Sequence, residues 1–142
     1  MSVSSIAICP TYHLQKALFF RVEFISCKLV GTNLPETILN HCRMQDCNAR
    51  YLNFSMSKIN QAEFTTCDLR NSDFNDCKLT SIAFTNCELV EAEFSHTPLR
   101  GIDLSDSHIE GIHVNLPDIR GAIVSTHQAM DLTSLLGLVI KD

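Results

Sequence analysis

Every fifth residue from Leu14 to Val124 is apolar, and no slip of phase interrupts the series. It runs Leu14, Phe19, Phe24, Leu29, Leu34, Leu39, Met44, Ala49, Phe54, Ile59, Phe64, Leu69, Phe74, Leu79, Phe84, Leu89, Phe94, Leu99, Leu104, Ile109, Val114, Ile119 and Val124. At 45% apolar residues, independent placement produces such a run with probability on the order of 10⁻⁸. An α-helix cannot use the pattern, since residues i and i+5 lie ~500° apart and drift around the cylinder. A plain strand fails as well, because an odd period alternates faces. What remains is a coil that turns a corner once every five residues.

The position two residues before each of these is mostly small: Ala17, Val22, Cys27, Thr32, Thr37, Cys42, Cys47, Ser57, Ala62, Cys67, Ser72, Cys77, Cys87 and Ala92. Two of every five residues therefore point inward, and the other three carry most of the charge. A longer period sets the number of sides. Cys27, Cys47, Cys67 and Cys87 recur at every fourth pentad, as do Phe54, Phe74 and Phe94, and Phe64 and Phe84. Four sides of five residues per turn explain this, with two Phe columns on opposite sides of a narrow, close-packed lumen. Ala49 is undersized for a central position and Leu52 oversized for its small slot, so the two volumes balance. Ile82, Ile102, Ile112 and Pro117 are also bulky there, and Pro35 and Pro117 remove backbone donors near the ends.

The stretches Cys67-Asp68-Leu69-Arg70-Asn71, Ser72-Asp73-Phe74-Asn75-Asp76 and Ala92-Glu93-Phe94-Ser95-His96 resemble the motif of the pentapeptide-repeat proteins. The resemblance implies an all-β fold, a right-handed quadrilateral β-helix of just under six turns. It covers residues 12–126 and leaves 1–11 as an N-terminal lead-in. Residues 127–142 form a C-terminal segment of short α-helix and strand that caps the open end. Ser125 and Gln128 have the spacing of a capping box, a helix over about 126–136 follows, and Gly137 suits its left-handed end. Leu138-Val139-Ile140 reads as a short strand. Met130, Leu132, Leu135, Leu136, Leu138 and Ile140 exceed what one cap buries, so they are the expected contact of a two-fold homodimer; a cap that closes only its own core is the other reading.

The segment from Ile119 to Ile140, with Gln128-Ala129 and Leu136-Gly-Leu-Val-Ile140, is similar to the ending of the Qnr-type quinolone-resistance proteins. That resemblance implies a dimer whose rod mimics duplex DNA and binds DNA gyrase and topoisomerase IV. The charge distribution is compatible with it. Residues 1–60 hold 3 Asp plus Glu against 6 Lys plus Arg, whereas residues 61–110 hold 10 against Arg70, Lys78 and Arg100. On the four-pentad period Glu63 and Asp103 share one side, Asp68 and Glu88 the next, and Asp73 and Glu93 the third; Lys58 and Lys78 mark the fourth. These six carboxylates are the candidate partner-binding surface. Solvation and corner hydrogen bonding by Asp or Asn account for the same placement without any partner. A shorter rod than the resemblance leads one to expect keeps open a scaffold or regulator without topoisomerase affinity.

Composition narrows the other classes. A net charge of −5 disfavours direct nucleic-acid binding, and no apolar run reaches the ~20 residues of a membrane span. The stretch from Met1 to Pro10 carries no Lys or Arg ahead of its apolar residues, so a cytoplasmic location is expected. The Cys column reads as buried small hydrophobes rather than as a metal or redox ladder, with Cys9 outside the repeat and free. His108 and His113 precede central residues and face solvent, without further ligands at metal-binding spacing. No phosphate loop, nucleophile elbow or zinc-helix motif is present. A plugged lumen also leaves no concave pocket for an active site. The expectation is a non-enzymatic protein with no catalytic residues, cofactor or metal.

Overall fold

In the computed structural model of the protein, which describes residues 18–141, the chain climbs one rung of a four-sided β-solenoid with every fourth pentad. Four strands stack in parallel on consecutive turns: β1 (Leu18–Ile25), β2 (Ile38–Gln45), β3 (Lys58–Thr65) and β4 (Lys78–Thr85). Their register steps by one full turn throughout, as in Phe24↔Met44, Met44↔Phe64 and Phe64↔Phe84. A second pair, β5 (Glu93–Phe94) and β6 (His113–Val114), holds the last complete turn. The lead-in at 1–11, Cys9, Leu14 and Ala17 lie outside the described residues.

Both inward positions of the period are realised. From Phe24 to Ile109 every central residue is buried except Leu79, and from Val22 to Ile112 so is every residue two before it. Ala49 and Leu52 are both fully enclosed. The Phe columns face each other across the lumen: Phe64 and Phe84 stack at 5.1 Å, Phe74 and Phe94 at 5.0 Å. Rings of opposite columns meet edge to face, Phe64 with Phe74 at 6.1 Å and Phe74 with Phe84 at 6.2 Å. These are the two geometries that aromatic quadrupoles favour.

The corner lies two residues after each central one. Arg21 and every fifth residue on to Gly101 have φ between 51° and 79°. At several corners a carbonyl-to-amide bond three residues on closes a turn, as from Leu69 to Ser72 and from Leu89 to Ala92. A type II turn requires that positive φ at its third residue. Most of these corners are not glycine, and each left-handed non-glycine residue costs about 1–2 kcal/mol. Complete burial of one Leu or Phe contributes roughly 1.5–3 kcal/mol, and each corner delivers one such residue to the lumen. Burial therefore wins.

The small inward residues are more than spacers. Cys47, Ser57, Cys67, Cys77, Cys87 and Thr97 each donate from Sγ or Oγ to a carbonyl of the preceding turn, for example Cys77 to Phe54 at 2.9 Å and Cys87 to Phe64 at 3.2 Å. Several accept in return from the equivalent amide one turn earlier, as Thr97 does from Cys77 and Ser57 from Thr37. A hydroxyl or thiol there ties two turns together, which alanine cannot do.

Regularity fails at two places. Among the described residues no backbone hydrogen bond joins 78–86 to 98–106. In earlier turns the amides of Lys58 and Lys78 donate to Thr37 and Ser57; at the equivalent place Pro98 has no N–H to give. Leu79, on this seam, is the one central residue of the mid-solenoid left partly exposed. The second break is a helical turn, α1 (Leu116–Ile119), which begins with Leu116-Pro117. Pro117 is thereby turned out to solvent, so it does not fill the inward slot that the period assigns to it.

The C-terminal helix is shorter than the sequence suggests. α2 spans Thr126–Leu132 and continues as a 3₁₀ turn over Thr133–Leu136, ended by Gly137 at φ 70°. The capping box forms as expected, with Ser125 Oγ accepting from the Gln128 amide and Gln128 Oε1 from the Ser125 amide. Leu138–Ile140 are not a strand. The segment reaches no sheet edge in the single chain, and an isolated strand has no ladder to hold it.

Candidate protein-binding surface

The outward position before each central residue forms one column per side of the rod, because the parallel register repeats it on every turn. One column runs Glu23, Arg43, Glu63, Ala83. The next runs Lys28, Asn48, Asp68, Glu88, His108. The third runs Asn33, Asn53, Asp73, Glu93, His113, and the fourth Leu18, Ile38, Lys58, Lys78. Asp68 thus abuts Glu88, and Asp73 abuts Glu93. Glu63 and Asp103 are not neighbours, since they lie two rungs apart with Ala83 paired to Glu63 between them.

Local chemistry divides the six carboxylates. Asp68 is held by Arg70 through Nε at 2.9 Å and Nη2 at 2.7 Å, and also accepts the Arg70 amide. The guanidinium hydrogen bond keeps its pKa below the usual carboxylate value. Asp73 accepts the Asn75 amide at 2.8 Å. Asp103 accepts the Ser105 hydroxyl and amide, which lower its pKa. These three are Asx turns that satisfy a corner donor. Glu is too long for that geometry. Glu88 instead meets His108 Nδ1 at 2.8 Å, which raises the imidazole pKa, while Glu63 and Glu93 make no side-chain hydrogen bond among the described residues.

Sequence reasoning did not identify the histidine pairs. His96 sits 3.7 Å from Asp76 and His113 3.3 Å from Glu91, beside His108 on Glu88. The signal was present, because an offset of four pentads stacks His96 on Asp76 and His108 on Glu88. His108 and His113 are exposed as expected, each engaged by its own carboxylate. Gln128 was read only as half of a capping box. Its Nε2 also donates to the Leu104 and Ser107 carbonyls at 2.7 and 2.6 Å. It supplies the donor to Leu104 that an inward hydroxyl or thiol would bring in a further turn.

Of the apolar C-terminal residues, Leu132 packs onto the chain's own core, which makes it part of the cap. Leu135 is half-buried, while Met130, Leu136, Leu138 and Ile140 stay exposed, as do Ile123 and Val139. The thiols of the described residues are buried. Burial raises Cys42 and Cys77 to about 12, and Cys67, tied to its column neighbours, also stands at about 12. Thiols kept protonated are poor nucleophiles and poor metal ligands; Cys87 shifts the other way, lowered by its hydrogen bond with Cys67, but is as enclosed as the rest.

The lumen is filled, yet the exterior is not without concavity, contrary to the sequence-based expectation. An open groove of about 680 Å³ runs along the first column, lined among others by Arg21, His41, Cys42, Arg43, Gln61 and Glu63. No helix among the described residues is long and apolar enough to cross a membrane.

A family model described as a pentapeptide repeat region matches residues 17–94. The chain belongs to the pentapeptide-repeat family. No curated protein sequence matches. Among solved structures, a trypsin-treated variant of QnrB1, a plasmid-mediated fluoroquinolone resistance protein, aligns over 99% of this chain and 98% of its own, at 14% identity and a TM-score of 0.55. A pentapeptide repeat protein from the thylakoid lumen of Arabidopsis thaliana aligns over 76% and 72%, at 16% identity and a TM-score of 0.48. The likeness to QnrB1 is one of fold: both are pentapeptide-repeat β-helices.

Proposed function

We propose that the protein is a non-enzymatic DNA mimic that binds DNA gyrase, topoisomerase IV or both, and protects them from quinolones. The observation that carries this is the charge density of the outer columns. The turn bearing Glu63, Asp68 and Asp73 places three outward carboxylates within the ~4.8 Å rise of one rung. That is roughly one per 1.6 Å of rod, or one per ~2.4 Å once Arg70 has neutralised Asp68, against one phosphate per ~1.7 Å of duplex axis. Glu88 and Glu93 extend it over the next rung. The Qnr-like C-terminal sequence, with Met130, Leu136, Leu138 and Ile140 exposed beside Leu135, supports a homodimer that sets two acidic stretches near the middle of a longer rod.

A gyrase supercoiling assay with a fluoroquinolone tests the reading. Stoichiometric protein is expected to restore supercoiling, and Glu63→Lys with Glu93→Lys to abolish the effect while leaving the fold unchanged. No effect at molar excess overturns it. The pairing of Asp68 by Arg70 and the net positive stretch from Met1 to Asn60 favour a second reading, an interaction scaffold without topoisomerase affinity. Capture of another protein from a bacterial lysate, with gyrase absent, supports that alternative.

A further inference from the structure

Where the cap meets the solenoid, three ligating side chains from two elements converge outside the carboxylate columns. Glu110 stands on the last complete turn, at the corner before Gly111, and His127 and Asp131 lie one helical turn apart on α2. One donor atom from each lies within 4.8 Å of the other two. The His127 Nε2 to Asp131 Oδ2 separation is 3.7 Å, beyond a hydrogen bond, and Glu110 makes no side-chain hydrogen bond among the described residues. The group thus differs from the pair closed at 2.8 Å between His108 and Glu88. Two carboxylates drawn this close favour a cation between them. The helix that presents His127 and Asp131 is itself fixed, by the Ser125–Gln128 capping box and by Gln128 on the Leu104 and Ser107 carbonyls.

We propose that Glu110, His127 and Asp131 form a binding site for a first-row divalent cation of the Zn²⁺ type. One imidazole and two carboxylates suit such an ion better than Mg²⁺ or Ca²⁺, which prefer all-oxygen shells. Bonds of about 2.0–2.2 Å set tetrahedral ligands roughly 3.4 Å apart, so these exposed side chains close by about an ångström, within reach of rotamer changes. Water completes the shell. The ion staples the cap helix to the last turn and, by binding only the folded end, stabilises it by mass action.

Isothermal titration of the full chain with ZnCl₂ under reducing conditions, read together with the thermal midpoint, tests the site. One equivalent is expected to bind and to raise the midpoint. His127→Ala is expected to weaken binding by at least about tenfold and to erase the midpoint rise; Asp131→Asn, which keeps the helix surface polar, serves as the second variant. His108→Ala is expected to leave affinity unchanged. Absence of binding, retention of full affinity in both His127→Ala and Asp131→Asn, or an equal loss in His108→Ala overturns the proposal.

Discussion

The turns between residues 18 and 97 and the end between 98 and 141, as far as Val124, are built from the same five-residue unit, yet they behave differently. In the first region the rungs from Ile38 to Cys77 are hydrogen-bonded on both sides, and corners as unsuited to left-handed backbone as Thr66, Met56 and Tyr51 adopt φ of 52–59°; Ser81 and Asn86, on the seam, are carried by the rung below alone and keep φ of 57° and 51°. In the second, positive-φ corners are all glycine: Gly101, Gly111 and Gly121. Strain persists only where surrounding structure over-determines it, and a terminal rung, bonded on one side, over-determines little. The end therefore relies on local devices: glycine corners, the α1 turn, and the Gln128 side chain that stands in for the missing rung.

The sharpest way to break this comparison is a core truncation in each region. Phe74→Ala removes a ring that touches Phe54, Phe64, Phe84 and Phe94 and is expected to cost roughly 3–5 kcal/mol by denaturant unfolding. Val124→Ala, partly exposed at the end, is expected to cost well under half of that. Similar losses at both sites show that the two regions are equally constrained.

A smaller effect is expected at the cap. Gln128→Ala leaves the Leu104 and Ser107 carbonyls without their side-chain donor and should cost roughly 2 kcal/mol. Hydrogen exchange should localise the loss to 98–141, with the amides of β2 and β3 still protected. Uniform loss of protection contradicts a separable end.

Within the regular turns, paired and unpaired hydroxyls give a finer contrast. Thr97 Oγ1 is hydrogen-bonded to Phe74 and Cys77, whereas buried Ser72 Oγ has no partner. Thr97→Val is expected to destabilise by about 1 kcal/mol, and Ser72→Ala to be neutral or mildly stabilising. The reverse order rules out the proposed role of the inward hydroxyl.

The smallest effect is electrostatic. Glu88 raises the pKa of His108. A raised folded pKa means that the pair stabilises fully below the unfolded value and that the contribution disappears as pH rises through the folded one. NMR titration should place His108 above the ordinary histidine value of ~6.5, with Glu88→Gln returning it. A titration unmoved by that substitution removes the interaction.

Period alone determined the path of the chain through the regular turns. The pentad and its fourfold multiple assigned Phe64, Phe74 and Cys67 to the lumen and Asp68 and Glu88 to one outer column, because a rung-per-turn geometry leaves side-chain direction no freedom. Tertiary structure decided everything that depends on distance between rungs or on an unpaired end. It set the seam at Pro98, the expulsion of Pro117, the grip of Arg70 on Asp68, the inward turn of Leu132 and the approach of Glu110 to α2. Each of these depends on which hydrogen-bond donor or counter-charge stands within a few ångströms, and a repeat pattern carries no such distance.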